Sequence, residues 1–253
     1  MRSKNPASYI ARTYRSLVAE HELVSAIVRV QETDLHILSD TEVAERAKEL
    51  IVQYRLQVEN YIRQNPQFAT SLTPLGMDEL VPPIVRDMLE AGLAAEVGPM
   101  AAVAGTMAQY VGKSLVKEGA REIVVENGGD VYLHRSGDCS VAIFAGESPL
   151  SYTVGVKVPA GLMPCGICTS SGTIGHSLSL GDADSVTVLA KSTPLADAVA
   201  TRLGNEVGMN RGGREGLQRA LQVGKDIPGI TGVVVICGEL LGAVGDIELV
   251  KLD

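Results

Sequence analysis

Ser192-Thr193-Pro194-Leu195-Ala196-Asp197-Ala198-Val199-Ala200-Thr201 reads as the opening of a helix. Ser192 or Thr193 supplies an N-cap oxygen, and Pro194 falls in the first turn, where its missing N–H costs nothing. Asp197 and Thr201 stand one helical turn apart, so a carboxylate and a hydroxyl leave the same face. With a backbone carbonyl they make an incomplete oxygen shell, which Mg²⁺ completes with phosphate and water. The competing reading is a solvated Asp beside a Thr that bonds back to its own helix.

Two stretches upstream give this helix its context. Met100-Ala101-Ala102-Val103-Ala104-Gly105-Thr106-Met107-Ala108 carries little bulk on any face. Something must therefore approach its backbone closely, either a sheet or the phosphates that a helix N-terminus attracts. After it, Arg121-Glu122-Ile123-Val124-Val125-Glu126-Asn127-Gly128-Gly129-Asp130 is a β-branched run ending in two glycines and an acid. Gly128 and Gly129 permit positive φ and close approach of a ligand, and Asp130 can orient a hydroxyl or an amide. A plain hairpin turn explains the same letters.

The remaining pattern is one of strands in runs and helices in runs. Strands are expected at Tyr9 to Ser16, Leu23 to Val30, Asp34 to Leu38, Val131 to His134, Cys139 to Phe144, Tyr152 to Val158 and Val186 to Ala190, and as a closing hairpin around Gly238-Glu239. The segments from Val131 to Val158 suggest a meander. Helices are expected from a capping box at Ser39 and Glu42 to Ile62, over Ile84 to Leu89, from Gly98-Pro99 to Lys117, from Pro194, and over Arg214 to Val223. This is an α+β arrangement with mixed or antiparallel sheets and packed helices. One domain over 1–253 is expected, with the Pro-rich segment 66–83 as the best candidate boundary.

Composition narrows the classes of function. The chain has 253 residues and a formal net charge of -8, with Arg211 and Arg214 as its only local basic cluster, so no phosphate-backbone footprint for nucleic acid is expected. Aromatics make up 4 % and Trp is absent, which leaves few stacking platforms for bases. No apolar run approaches the ~20 residues that span a bilayer, and no signal core follows Met1, so a cytoplasmic protein is expected. Four cysteines are too few for a disulfide scaffold and would stay reduced there.

The order of these elements carries a resemblance. A small-residue helix, a strand, Gly-Gly-Asp, then Thr-Ser-Ser-Gly, a strand and Ala-Asp-Ala-Val-Ala-Thr resembles the ApbE family of Mg²⁺-dependent flavin transferases, over Gly98 to Gly204. That family binds FAD and attaches FMN to a protein Thr or Ser. The resemblance implies Mg²⁺ held by Asp197, Thr201 and a carbonyl at or near Ala102. It implies a nucleotide pocket at Gly128, Gly129, Asp130, Ser171 and Gly172. His176 is the nearest counterpart of the family's catalytic His, in a segment that departs from the family pattern, and Gly105 stands where the family's helix carries Lys. The chain is most similar to a compact branch from archaea and anaerobic bacteria, some of whose members are linked to sulfide assimilation.

Two other readings stay open. Cys165 and Cys168 form a CxxC beside Ser171, the spacing of a dithiol or of half a zinc site, in what reads as a loop. A sulfur-handling protein would use that pair. A binding protein that kept the fold without the chemistry would need only the nucleotide pocket. The partners expected are a flavin or related nucleotide and a protein acceptor, with no nucleic acid and no membrane; the pattern also allows a homo-oligomer.

Overall fold

The computed structural model describes residues 23–78, 80–171, 183–208 and 213–252. The strand expected at Tyr9 to Ser16 lies outside them. The chain enters through a hairpin, β1 (Val24–Val30) and β2 (Thr33–Ser39), turned at Gln31 with φ of 53°. Helix α1 follows at Ala44–Gln64, burying Ala47, Leu50, Ile51 and Val58 along one stripe. The capping box expected here does not form. Ser39 is the last residue of β2, where the ladder fixes its backbone, and no side chain caps the helix.

Segment 66–82 holds the single turn α2 (Gln67–Thr70) and then a loop leading to α3 (Pro83–Ala95). The main core draws residues from both sides of this segment. Helix α3 is longer than the Ile84 to Leu89 expected, because tertiary burial of Leu89, Ala91, Gly92 and Ala95 carries it past the local pattern. A 3-10 turn at Pro99–Ala102 then opens α4 (Val103–Lys117). No single helix among the described residues is long and apolar enough to cross a membrane, and α3 and the Pro99–Lys117 run are bent by 108°.

The first β-hairpin of the site region is β3 (Ile123–Asn127) with β4 (Asp130–His134). The expected meander stops there. Strands β5 (Cys139–Ala142) and β6 (Val154–Val158) leave the sheet, and β4 pairs instead with β7 (Cys165–Ser170). The remaining elements are β8 (Ser185–Ala190), α5 (Thr193–Val207), α6 (Arg214–Asp226), β9 (Ile230–Cys237), β10 (Leu240–Gly245) and β11 (Glu248–Lys251).

Eight strands form one sheet in the order β1-β2-β3-β4-β7-β8-β9-β10, and β11-β6-β5 form a second. Every pairing among the described residues is antiparallel, within the mixed or antiparallel arrangement expected. Helices α1, α4, α5 and α6 cover one face of the large sheet. The small sheet covers the other, packing Val156 and Val158 on Leu133, Ile167, Leu189 and Ile236. The central strands are therefore buried on both faces and read as continuous apolar runs, a pattern more usual in parallel sheets. The result is a three-layer α+β fold.

Candidate functional site

The site is assembled where three glycines let neighbouring elements come close. Gly105 in the first turns of α4 lies against the start of α5. A Cβ there would stand 2.8 Å from the Thr193 carbonyl oxygen and 2.9 Å from Asp197 Cβ. Gly166 of β7 lies under Thr193, where a Cβ would fall 2.4 Å from Thr193 Cα. Gly112, further along α4, leaves room for the Tyr132 ring of β4, 2.3 Å from the position of a Cβ. The small-residue helix thus receives another helix at its amino end and a ring of the sheet two turns later.

Polar groups then fix the geometry. Gly105 N–H donates to Asp197 Oδ2 at 2.8 Å, tying the carboxylate to the amino end of α4. The Asn127 side-chain amide donates to the Ala104 carbonyl at 3.1 Å, and Thr193 N–H donates to Gln109 Oε1 at 3.1 Å. Ser192 accepts from Leu195 N–H as the N-cap of α5, and Pro194 lies in its first turn, as the sequence leads one to expect. Thr201 follows one turn after Asp197; both are buried. Ala102 closes the 3-10 turn that packs against α5, and its carbonyl accepts from the Thr106 hydroxyl.

Gly128 and Gly129 form a two-residue hairpin turn with φ of 71° and 108°. Both angles are positive, as the mirror-image hairpin turn requires, and glycine adopts each of them without a steric cost. Glu126 Oε1 accepts from Gly129 N–H at 3.0 Å and braces this turn. Asp130 leaves it facing the helices, because the register pairs it with Asn127 on one side and Cys168 on the other. Side chains of directly paired residues share a sheet face. Asn127, Asp130 and Cys168 therefore form one polar row beneath Asp197.

The electrostatics of this row are unusual. Burial pushes Asp197 up to about 7, even though the amides of Gly105 and Ala104 both donate to it. Burial, and next the neighbouring Asp197 charge, hold Asp130 well above the usual carboxylate range. Among the described residues no salt bridge reaches either acid. Two buried carboxylates without a counter-charge are costly unless a proton or a cation joins them. Asp197, the Thr201 hydroxyl and the Ala102 carbonyl are hard oxygen donors, the type a small divalent cation prefers. No group of three or more His, Cys, Asp or Glu could hold a metal among the described residues. A cation here would complete its shell with hydroxyl, carbonyl, phosphate or water oxygens, which fits Mg²⁺.

The cysteines are arranged differently from a dithiol. Cys165 and Cys168 belong to β7, not to a loop, and positions three apart on a strand point to opposite faces. Cys165 packs into the outer core with Leu133 and Ile167, and Cys168 into the helical core with Tyr132. Burial lifts the Cys165 thiol to about 12, and burial with the Asp130 and Asp197 charges raises Cys168 as well. Both shifts disfavour the reactive thiolate. An oxidant such as diamide is therefore expected to form no Cys165–Cys168 disulfide in the folded protein, and a thiol reagent to label the half-exposed Cys139 first. Peptide mapping that finds the 165–168 disulfide at early times would contradict this arrangement.

Other positions fall as follows. Gly172 and His176 lie outside the described residues, as do Arg211, Asp182 and His21. Ser171 follows directly on β7 and is half-exposed. His134 sits at the end of β4 remote from Asp130. Asp184 accepts from Gly238 N–H at 2.6 Å and so braces the turn between β9 and β10. Sequence reasoning missed Gln109, Glu126 and Asn127. Gln109 had a legible signal, a polar residue among small apolar ones in α4; Glu126 and Asn127 had none until the register was known.

The family model described as "AbpE bacteria" matches residues 15–249. The chain belongs to that family, and with it to the ApbE-like superfamily. A UPF0280 protein of Methanococcus maripaludis strain C6 is 43 % identical over 231 residues, covering 89 % of this chain and 92 % of the relative. A UPF0280 protein of Methanocaldococcus jannaschii is 40 % identical over 228 residues, covering 88 % and 92 %. Among solved structures, the flavin transferase ApbE from Vibrio cholerae superposes with a TM-score of 0.50 at 18 % identity, covering 89 % of this chain and 98 % of that one. The ApbE protein of Thermotoga maritima gives 0.50 at 12 % identity, covering 87 % and 96 %. At such identities the structural likeness concerns the fold.

Proposed function

We propose that this chain binds a flavin or related nucleotide through Mg²⁺, and that FMN transfer to a protein Thr or Ser is the reaction such a site would serve. The observation that supports this reading is the pair of buried acids. Asp130 and Asp197, from a strand and a helix, are both raised by burial, and the Asp197 charge raises Asp130 further, beside the amino end of α4 with no basic partner bridging them among the described residues. Asp197, Thr201 and the Ala102 carbonyl would hold the ion. Gly128, Gly129, Asp130, Ser171 and Gly172 would line the nucleotide side, where the Gly-Gly turn permits close approach of a ligand. His176 would take the proton of an acceptor hydroxyl. When bound, Mg²⁺ would neutralise phosphate charge and polarise the bond to be broken.

The absorption spectrum of the purified protein and its melting temperature test this reading, the latter with FAD, FMN or ADP, each with and without Mg²⁺. A ligand at 100 times its Kd stabilises by about 2.7 kcal/mol, or roughly 5–11 °C for a chain of this size. The expected result is a shift that needs nucleotide and metal together. A wild-type protein that none of the three nucleotides shifts in the presence of Mg²⁺ would sink the proposal.

A further inference from the structure

Ser170 is the last residue of β7, two positions after Cys168 and therefore on the same face of the strand. Its register partner on β8 is Val186, whose side chain belongs to the helical core. Ser170 itself is 7 % exposed, and its hydroxyl oxygen is buried with no hydrogen-bond partner. It stands at the edge of the polar row, beside the Gly128-Gly129 turn, whose Gly129 carbonyl accepts from Thr169 N–H at 3.2 Å. Buried hydroxyls are almost always satisfied, and an orphan one lowers stability unless something else meets it. Val186 offers no acceptor side chain. The neighbouring residue of the same strand, Cys168, spends its single S–H on Asp130 or on the Thr193 carbonyl 3.5 Å away.

We propose that the Ser170 hydroxyl is a ligand-binding donor, left without a protein partner because it meets a phosphoryl oxygen of the bound nucleotide. This inference rests on the Mg²⁺-nucleotide reading above and adds to it a specific residue and the ligand atom type it takes. A hydroxyl is the appropriate donor at this place. The acids nearby would repel a phosphate directly, so its oxygens must be divided between the metal and uncharged donors. Ser170 supplies such a donor on a face where Asn127 and Cys168 already have partners.

The test compares wild type with Ser170→Ala by thermal melting and by titration with ADP, FAD and riboflavin, all in the presence of Mg²⁺. The expected ligand-free result is a melting temperature for Ser170→Ala equal to or above that of wild type, since an unsatisfied group has been removed. The expected binding result is affinity about tenfold weaker for both ADP and FAD, as one hydrogen bond to a charged oxygen implies. Riboflavin, which lacks phosphate, should not discriminate between the two proteins. A ligand-free Ser170→Ala protein that melts well below wild type would overturn the proposal, because the hydroxyl would then have a structural partner. Unchanged ADP and FAD affinity would overturn it, and so would weakened FAD binding with ADP unaffected, which would place the contact on the flavin ring. A wild-type protein that binds none of the nucleotides is a different outcome: it removes the Mg²⁺-nucleotide reading, and this inference with it.

Discussion

Asp197→Asn is expected to fold, to melt above wild type in metal-free buffer at pH 8, and to lose the joint response to nucleotide and Mg²⁺. The amide keeps an oxygen for Gly105 N–H, so the tie between α4 and α5 survives. What disappears is a buried negative charge. The ordinary value near 3.8 for Asp197 is raised to about 7 by burial. Folding therefore favours the protonated acid. In metal-free wild type this favourable contribution is complete below about pH 3.8 and is lost as pH rises towards 7. Above that the folded protein carries an unneutralised charge next to Asp130, and the Asn variant does not. The gain at pH 8 should be about 2 kcal/mol, roughly 4–8 °C in melting temperature, and should vanish near pH 4. Melting curves of both proteins across pH 4–8 in the presence of a chelator measure it. A variant less stable than wild type at pH 8 would mean that the charge is compensated within the protein, and the case for a cation would go with it.

Gly166→Ala is expected to lower stability strongly and to disturb the site with it. The added Cβ would stand 2.4 Å from Thr193 Cα, 2.6 Å from its Oγ1 and 2.7 Å from its Cβ. The first of these is backbone, which cannot rotate aside. Helix α5 must lift from β7, and it carries Asp197 and Thr201 with it. The cost should be about 3 kcal/mol or more, a fall of roughly 6–12 °C. Gly161→Ala is the matching control, since nothing lies within 4 Å of its added Cβ and its φ is ordinary. Comparable melting temperatures for the two variants would show that α5 does not lie as close to β7 as described.

The parts of the fold legible in the sequence were those set by local chemistry. Helix α5 shows itself through Ser192, Pro194 and its alanines, and β3 through its β-branched run into Gly-Gly. The need for something to lie against the small-residue helix was also readable, although what lies there is the amino end of α5 and the Tyr132 ring. Pairing was not legible. Val131 to Val158 contains three strand-like segments in a row, and nothing within them says that β5 and β6 abandon β4. That choice depends on β7 and β11, which lie later in the chain. The same blindness misplaced the CxxC. Its small polar neighbours suggest a loop, whereas its place between β4 and β8 makes it a central strand with its thiols on opposite faces. For the site, the acids and glycines were visible as letters. Their convergence required the register that sets Asp130 opposite Cys168 and the Gly105 contact that brings Asp197 alongside.

The outer sheet has a consequence for how the chain is made. Strand β6 pairs with β11 from Glu248↔Lys157 to Lys251↔Val154. During synthesis at about 5–20 residues per second, β6 emerges from the ribosome well before its partner exists. Until residue 251 clears the exit tunnel, the apolar side of β5 and β6 has only the large sheet to rest on, and one edge of β6 stays unpaired. Nascent chains in which β6 has cleared the exit tunnel and β11 has not should therefore be the ones most readily captured by chaperones or lost to aggregation.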